Sequence, residues 1–139
     1  MIERQIGRHS ITFEPPGILR FVLVDDVSAQ EAEAMAAFAR EHLAGRPFIL
    51  ALLDVGDLGA IPAETRKAAA RLSAEFPYRG IAFCHASFRA RVVTKLLGGA
   101  LRLFAPRLDN PLRYFDTEAE ARIWLAERVR ELSEHARAG

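Results

Sequence analysis

Phe48-Ile49-Leu50-Ala51-Leu52-Leu53 is an unbroken apolar run of strand length. A strand with one wet face alternates polar and apolar residues, so a run with no polar member reads as a strand covered on both faces. A second such run, Ile18-Leu19-Arg20-Phe21-Val22-Leu23-Val24, lies ahead of it, apolar at nearly every position. Between the two, Ser28-Ala29-Gln30-Glu31 has the spacing of a capping box, in which Ser28 and Glu31 each satisfy the other's backbone amide. The helix it opens carries Ala32, Met35, Ala36, Ala39 and Leu43 on one stripe, and Gly45 supplies its stop. Parallel neighbours need a crossover of this kind, so the two runs are predicted to pair in parallel inside a sheet.

The same reading extends outward in both directions. Upstream, Ile11-Thr12-Phe13-Glu14 alternates, and Pro15-Pro16-Gly17 turns it into the second strand as an antiparallel hairpin. Downstream, Asp54 to Ile61 reads as a loop, and Pro62 stands at the first position of a helix. That helix packs through Thr65, Ala68, Ala69, Leu72 and Phe76, and Pro77 ends it. Gly80 to His85 is a further strand, and Ser87 caps a helix that carries Phe88, Val92, Val93, Leu96, Leu97, Ala100 and Leu101 towards Pro106. The Gly98-Gly99 pair inside that helix costs about 1 kcal/mol per glycine relative to alanine, which close packing on the sheet would offset. Leu112-Arg113-Tyr114-Phe115 is a short strand, and Thr117 to Glu120 is a second capping box. The helix it opens buries Ala121, Trp124, Leu125, Val129 and Leu132, and frays over residues 133–139. The expected fold is α/β: one domain over residues 8–132, with a mixed, mostly parallel five-stranded sheet, flanking helices and the order ββαβαβαβα.

Composition narrows the function classes. The chain has 139 residues, 50 % apolar and 27 % charged, which suits one ordinary globular domain. A net charge of +1 lacks the basic excess of a nucleic-acid binder. One cysteine, Cys84, excludes an internal disulfide and a four-cysteine zinc site. No apolar run approaches the ~20 residues of a transmembrane helix. Met1-Ile2-Glu3-Arg4-Gln5 lacks the basic-then-apolar layout of a signal peptide, so a cytoplasmic protein is expected. Charge is unevenly spread, however. Asp25, Asp26, Glu31 and Glu33 cluster without a base, and residues 84–108 hold Arg89, Arg91, Lys95, Arg102 and Arg107 without an acid. Such a stretch is either a solvated helix face or a surface that steers an anionic partner.

Three pieces of the chain together resemble the SpoIIAA-like group of STAS-type domains, which includes STAS or CRAL-TRIO-like bacterial single-domain proteins. They are the hairpin at Pro15-Pro16-Gly17, the aspartate closing a central strand at Leu52-Leu53-Asp54, and the segment Tyr114-Phe115-Asp116-Thr117-Glu118-Ala119-Glu120-Ala121-Arg122-Ile123-Trp124-Leu125. The likeness implies a non-enzymatic regulatory or binding module. Founding members bind a kinase that also sequesters a sigma factor, and are switched by phosphorylation of a serine that opens the helix after the third strand. The corresponding stretch, Asp54 to Pro62, has no serine, and the nearest hydroxyl, Thr65, is about one turn into the helix. No phosphoswitch is therefore expected. The related lipid-binding branch implies an apolar pocket between the sheet and a movable helix.

Candidate site residues gather where open α/β sheets place their ligands, at the carboxyl ends of the strands. Asp54, Asp57 and His85 form one group with carboxylate and imidazole chemistry, although their spacing matches no metal motif. Cys84 and His85 are neighbours on a strand, whose side chains alternate, so they are expected on opposite faces rather than as nucleophile and base. Ser87, Arg89 and Arg91 form a second group. Cations at a helix N-terminus oppose its dipole, so two arginines beside a serine cap suggest a grip on a phosphate, a carboxylate or an acidic surface. Lys95, Leu103 and Phe104 form a third, because this helix has more apolar residues, with Leu108 beyond it, than one buried face needs.

The leading expectation is a binding module that docks a protein partner, or itself, through the strand-to-helix loops and this third helix. The alternative is a carrier or sensor of an apolar ligand with an anionic head group. Its tail would lie under Val92 to Phe104 and its head against Arg89 and Arg91. An enzyme using Asp54, Asp57 and His85 ranks third. No cofactor, metal or nucleic acid is expected, and peripheral contact with a membrane is left open.

Overall fold

The chain begins with a β-meander: β1 (Ile2–Ile6), β2 (His9–Glu14) and β3 (Ile18–Asp25). Helices and strands then alternate as α1 (Ala29–Leu43), β4 (Ile49–Leu58), α2 (Ala63–Ser73), β5 (Tyr78–Cys84), α3 (Phe88–Phe104), β6 (Leu112–Phe115) and α4 (Glu118–Ala138). This computed structural model describes residues 1–104 and 109–138, without the side chains of Phe104 and Ala138. The strands form one six-stranded sheet in the order β1-β2-β3-β4-β5-β6. The first two pairings are antiparallel and the last three parallel. Successive crossovers in one direction place α1, α2 and α3 on one face of the sheet, and α4, which follows the last strand, covers the other.

The Leu50 and Leu52 side chains face α4, packing with Ala82, Cys84, Ala121 and Leu125. Ile49, Ala51 and Val55 face the larger core beneath α1, α2 and α3, with Leu19, Phe38 and Phe83. Both sides of β4 are thus dry from Ile49 to Leu52, as the unbroken apolar run requires. Each fully buried leucine contributes about 1.5–3 kcal/mol.

The capping box of α1 forms in full, while at α4 only the side-chain cap on the Glu120 amide is made. At α1, Ser28 Oγ accepts the Glu31 N–H at 3.0 Å while Glu31 accepts the Ser28 N–H at 2.9 Å. At α4, Thr117 Oγ1 accepts the Glu120 N–H at 3.2 Å and donates to the Glu120 carboxylate at 3.0 Å.

The structure departs from the sequence reading in four places. The sheet has six strands rather than five, because Ile2–Ile6 adds an edge strand. Only Ile6 of that strand is buried, so it carries no alternation to read, and its charged exposed residues suit a sheet edge. Second, β4 does not end at Leu53. It continues to Leu58, where a register shift lets Val24 and Asp25 pair with Asp57 and Leu58. Neighbour pairing overrides the low strand propensity of Asp and Gly there. Third, α2 starts after Pro62, which is its N-cap, and ends at Ser73, short of Phe76. Fourth, α4 is helical to Ala138, although the sequence reading expects the tail to fray from residue 133.

The extended β4 is locked to the end of β3. Gly59 N donates to Asp25 O at 2.8 Å, Val27 N donates to Ala60 O at 3.0 Å, and Ala60 N donates to Asp26 Oδ1 at 2.7 Å. Asp25 and Asp26 thus act as strand-end residues. A Cβ at Gly59 would come within 2.8 Å of the Asp25 carbonyl carbon, so the two chains meet only because position 59 has no side chain.

Candidate functional site

Asp54 and Cys84 are direct partners across β4 and β5, and both side chains lie on the α4 side. His85 follows the end of β5 with φ 60°, the left-handed region that non-glycine residues seldom enter. That torsion breaks the strand alternation and turns the imidazole towards Asp54, with His85 Nδ1 3.1 Å from Asp54 Oδ1. The same oxygen accepts the Gly56 N–H at 3.1 Å. Cys84, Asp54 and His85 thereby place sulfur, oxygen and nitrogen within 4.8 Å of one another. The expectation that Cys84 and His85 diverge fails here because it assumed extended backbone at His85. Asp57 is exposed on the β4 extension and is not a member of this group.

The group borders an ion-pair network that sequence reading did not find. Arg20 of β3 donates to Glu118 at the start of α4, with Nη2 at 2.7 Å. Arg122 bonds Glu118 at 2.9 Å and grips both carboxylate oxygens of Glu14 on β2, at 2.9 and 3.0 Å. Hydrogen bonds from Arg20 and then Arg122 hold the Glu118 carboxyl below the usual carboxylate range, outweighing its partial burial. Glu14, on the other side, raises the Arg122 guanidinium. The only sequence signal for this network was the alternation that put Glu14 and Arg20 on one sheet face.

Cys84 is fully buried. Burial, followed by the charges of Asp54 and Glu118, pushes its thiol up to about 11. It is protonated at neutral pH, because burial and those carboxylates outweigh the nearby Arg20 and Arg122, which act to lower it.

The second site is α3. Ser87 caps it, accepting the Ala90 N–H at 3.1 Å. Leu97 and Leu101 are buried against the core, but Phe88 (84 % exposed), Val92 (47 %), Leu96 (54 %) and Leu103 (81 %) are not. At ~100° per residue these four fall on one outward stripe, and Gly99 lies among them with open space where a side chain would be. Lys95 and Arg102, both exposed, lie along one border of the stripe and Arg89 along the other. Among the described residues neither Lys95 nor Arg89 has an ion-pair partner.

Arg91 is engaged within the fold. Its guanidinium stacks 5.1 Å over the Tyr114 ring, and it also approaches Asp116 at 3.9 Å. Inside, Thr94 Oγ1 donates to Ala90 O at 2.7 Å and accepts from Tyr114 Oη at 2.7 Å, tying α3 to β6. Gly98 packs towards Leu112, so only one glycine of the pair is explained by close packing on the sheet. The expected contacts of Phe104 and Leu108 lie outside the described residues.

An apolar cavity of about 120 Å³ lies beneath α2 and α3, lined by Phe21, Met35, Leu53, Phe83, Leu97 and Leu101 among others. Thr65 is 1 % exposed and lines it too, and among the described residues its hydroxyl has no hydrogen-bond partner. The hydroxyl nearest the position of the phosphoswitch therefore points into the core.

A meander leading into a parallel sheet, with three helices on one face and a closing helix on the other, defines a small α/β domain with a mixed sheet. A family model described as SpoIIAA-like matches residues 18–126, and the chain belongs to that family. Among solved structures it is similar to an uncharacterized protein from Shewanella loihica PV-4 with a SpoIIAA-like fold. That likeness has a TM-score of 0.62 at 19 % identity and covers 83 % of this chain and 90 % of the other. No curated protein matches the chain. No helix among the described residues is long and apolar enough to cross a membrane.

Proposed function

We propose that this protein is a non-enzymatic docking module whose contact surface is the outward stripe of α3. The observation that carries the reading is the row Phe88, Val92, Leu96 and Leu103, exposed on a helix whose other side already packs on the core. Isolated surface leucines are ordinary, but four large apolar residues on one stripe make a contiguous patch of the kind found at interfaces. Lys95, Arg102 and Arg89 beside it, in a stretch with no acid from residue 84 to 108, select the partner's chemistry. The occupant is a protein segment with an apolar ridge and an acidic rim.

The test is a photo-crosslinking residue at position 96, with exposed Ile123 of α4 as the control position. The expected result is one protein captured from position 96 and not from 123. Its capture weakens with salt and is lost when Arg102→Glu is added, while thermal unfolding is unchanged. Capture of a second copy alone, of anionic vesicles instead of protein, or of nothing would overturn the reading.

The carrier reading is favoured by a different observation, the apolar cavity under α3 with the unpartnered Thr65 hydroxyl in its wall. Size decides against it as the first choice. At about 120 Å³ the cavity is smaller than the roughly 150 Å³ that accommodates benzene, so a lipid tail would require α3 to lift from the sheet. Native mass spectrometry before and after organic extraction separates the two readings. An extractable extra mass supports the carrier and a bare chain supports docking.

A further inference from the structure

We propose that Asp54, Cys84 and His85 form a binding site for a divalent transition-metal ion, with zinc(II) the best match to the donor set. The inference does not rest on the docking reading, since the site lies on the α4 side of the sheet and not on the α3 stripe. Carboxylate oxygen, thiolate sulfur and imidazole nitrogen are the three donor types zinc takes, and a mixed set of this kind excludes magnesium and calcium, which prefer all-oxygen sites.

The geometry is close to what the ion needs. Zinc bonds of about 2.0–2.3 Å in a tetrahedron put ligand atoms roughly 3.3–3.8 Å apart. Here the three donor atoms lie within 4.8 Å of one another, and the His85–Asp54 pair is at 3.1 Å. Two of the ligands are fixed by the sheet, because Asp54 and Cys84 are register partners on adjacent strands. The third is brought in by the φ of 60° at His85, which turns the imidazole towards Asp54. The His85 side chain is 44 % exposed and that of Asp54 23 %, so the ion has a path in from solvent while Cys84 forms the floor. The His85–Asp54 pair is already close enough, so the remaining ångström lies in the separations to the Cys84 sulfur.

The local charge also fits. Arg20 and Arg122 are matched in number by Glu118 and Glu14, so that Asp54 adds one further negative charge to the group, shared with the field of Arg20. On binding, metal–sulfur, metal–oxygen and metal–nitrogen bonds form and the Cys84 S–H bond breaks, its proton passing to solvent. Three protein ligands leave a fourth position for water.

Cobalt(II) reports such a site directly, and the experiment is a titration of the tag-free protein with cobalt alone. One equivalent is expected to bind, with a thiolate-to-metal charge-transfer band and visible bands of tetrahedral intensity, and zinc should abolish both. Cys84→Ala should lose the charge-transfer band. His85→Asn should weaken binding at least tenfold, and it keeps the fold because asparagine tolerates the left-handed region. His135→Asn, on the far end of α4, should change nothing. Binding without the charge-transfer band, binding indifferent to His85→Asn, or no cobalt bound by the folded wild type would each overturn the assignment.

Discussion

α3 and α4 each follow a parallel strand and each lie along the sheet, yet they are fastened differently. α4 is held along much of its length. Glu118 in its first turn meets Arg20 and Arg122, and further on Arg128 donates to Arg79 O at 2.6 Å and to Asp109 Oδ2 at 2.8 Å. Between those points Ala121 and Leu125 are fully buried. α3 has its serine cap and the Thr94–Tyr114 bond, but one of its stripes carries large apolar groups into water. The contrast shows that α4 leaves one large apolar side chain, Ile123, in water, whereas α3 leaves a row of four on one side. The unsatisfied side is where a partner gains most, because burying it removes apolar area from water without disturbing the core.

The largest expected effect tests whether the two helices differ energetically. Leu125→Ala in α4 should cost about 2–5 kcal/mol, whereas Leu96→Ala in α3 should stay within about 0.5 kcal/mol of wild type. Urea unfolding followed by circular dichroism measures both. Equal losses would mean that both helices bind the sheet through every stripe they present.

A smaller effect probes the ion pairs. Glu118→Gln should cost about 1–3 kcal/mol at neutral pH, since it weakens bonds to two arginines at once. The sign of the pH dependence follows from the lowered folded-state value of Glu118. Its contribution is fully present above the ordinary carboxylate value of 4.5 and is lost as pH falls through the lower folded one. Melting temperatures from pH 7 down to pH 3 should therefore fall more steeply for wild type than for Glu118→Gln, the two converging in acid. Parallel curves would remove the network from the account of α4.

The smallest effect lies within α3. A side chain at Gly99 would meet nothing, so Gly99→Ala should stabilise the helix by up to about 1 kcal/mol. A rise in melting temperature checks it. Destabilisation would mean that the backbone at Gly99 needs freedom a helix does not show.

Much of this architecture was legible because it depends on short-range patterns. The unbroken run at Phe48 to Leu53, the capping box at Ser28, the threonine cap at Thr117 and the Pro15-Pro16-Gly17 turn each state a local requirement, and each is met where it was read. β1 was not legible, since a single buried residue in five makes no period. The tail of β4 was not either, because Asp54 to Leu58 is strand only through its pairing with β3. For the candidate site, Asp54 and His85 could be named from their places at strand ends, but Cys84 was assigned to the other face by a rule that holds only for extended backbone.

The order of elements, the dryness of the central strands and the presence of a helix with too many apolar residues are all written in the chain itself. They are consequences of period and composition, which need no knowledge of neighbours. Folding in three dimensions settles which of those apolar residues face out, which carboxylates the arginines of β3 and α4 find, and that His85 turns back onto Asp54 beside Cys84. These are relations between residues far apart in the chain, or the result of one torsion, and no local pattern encodes them.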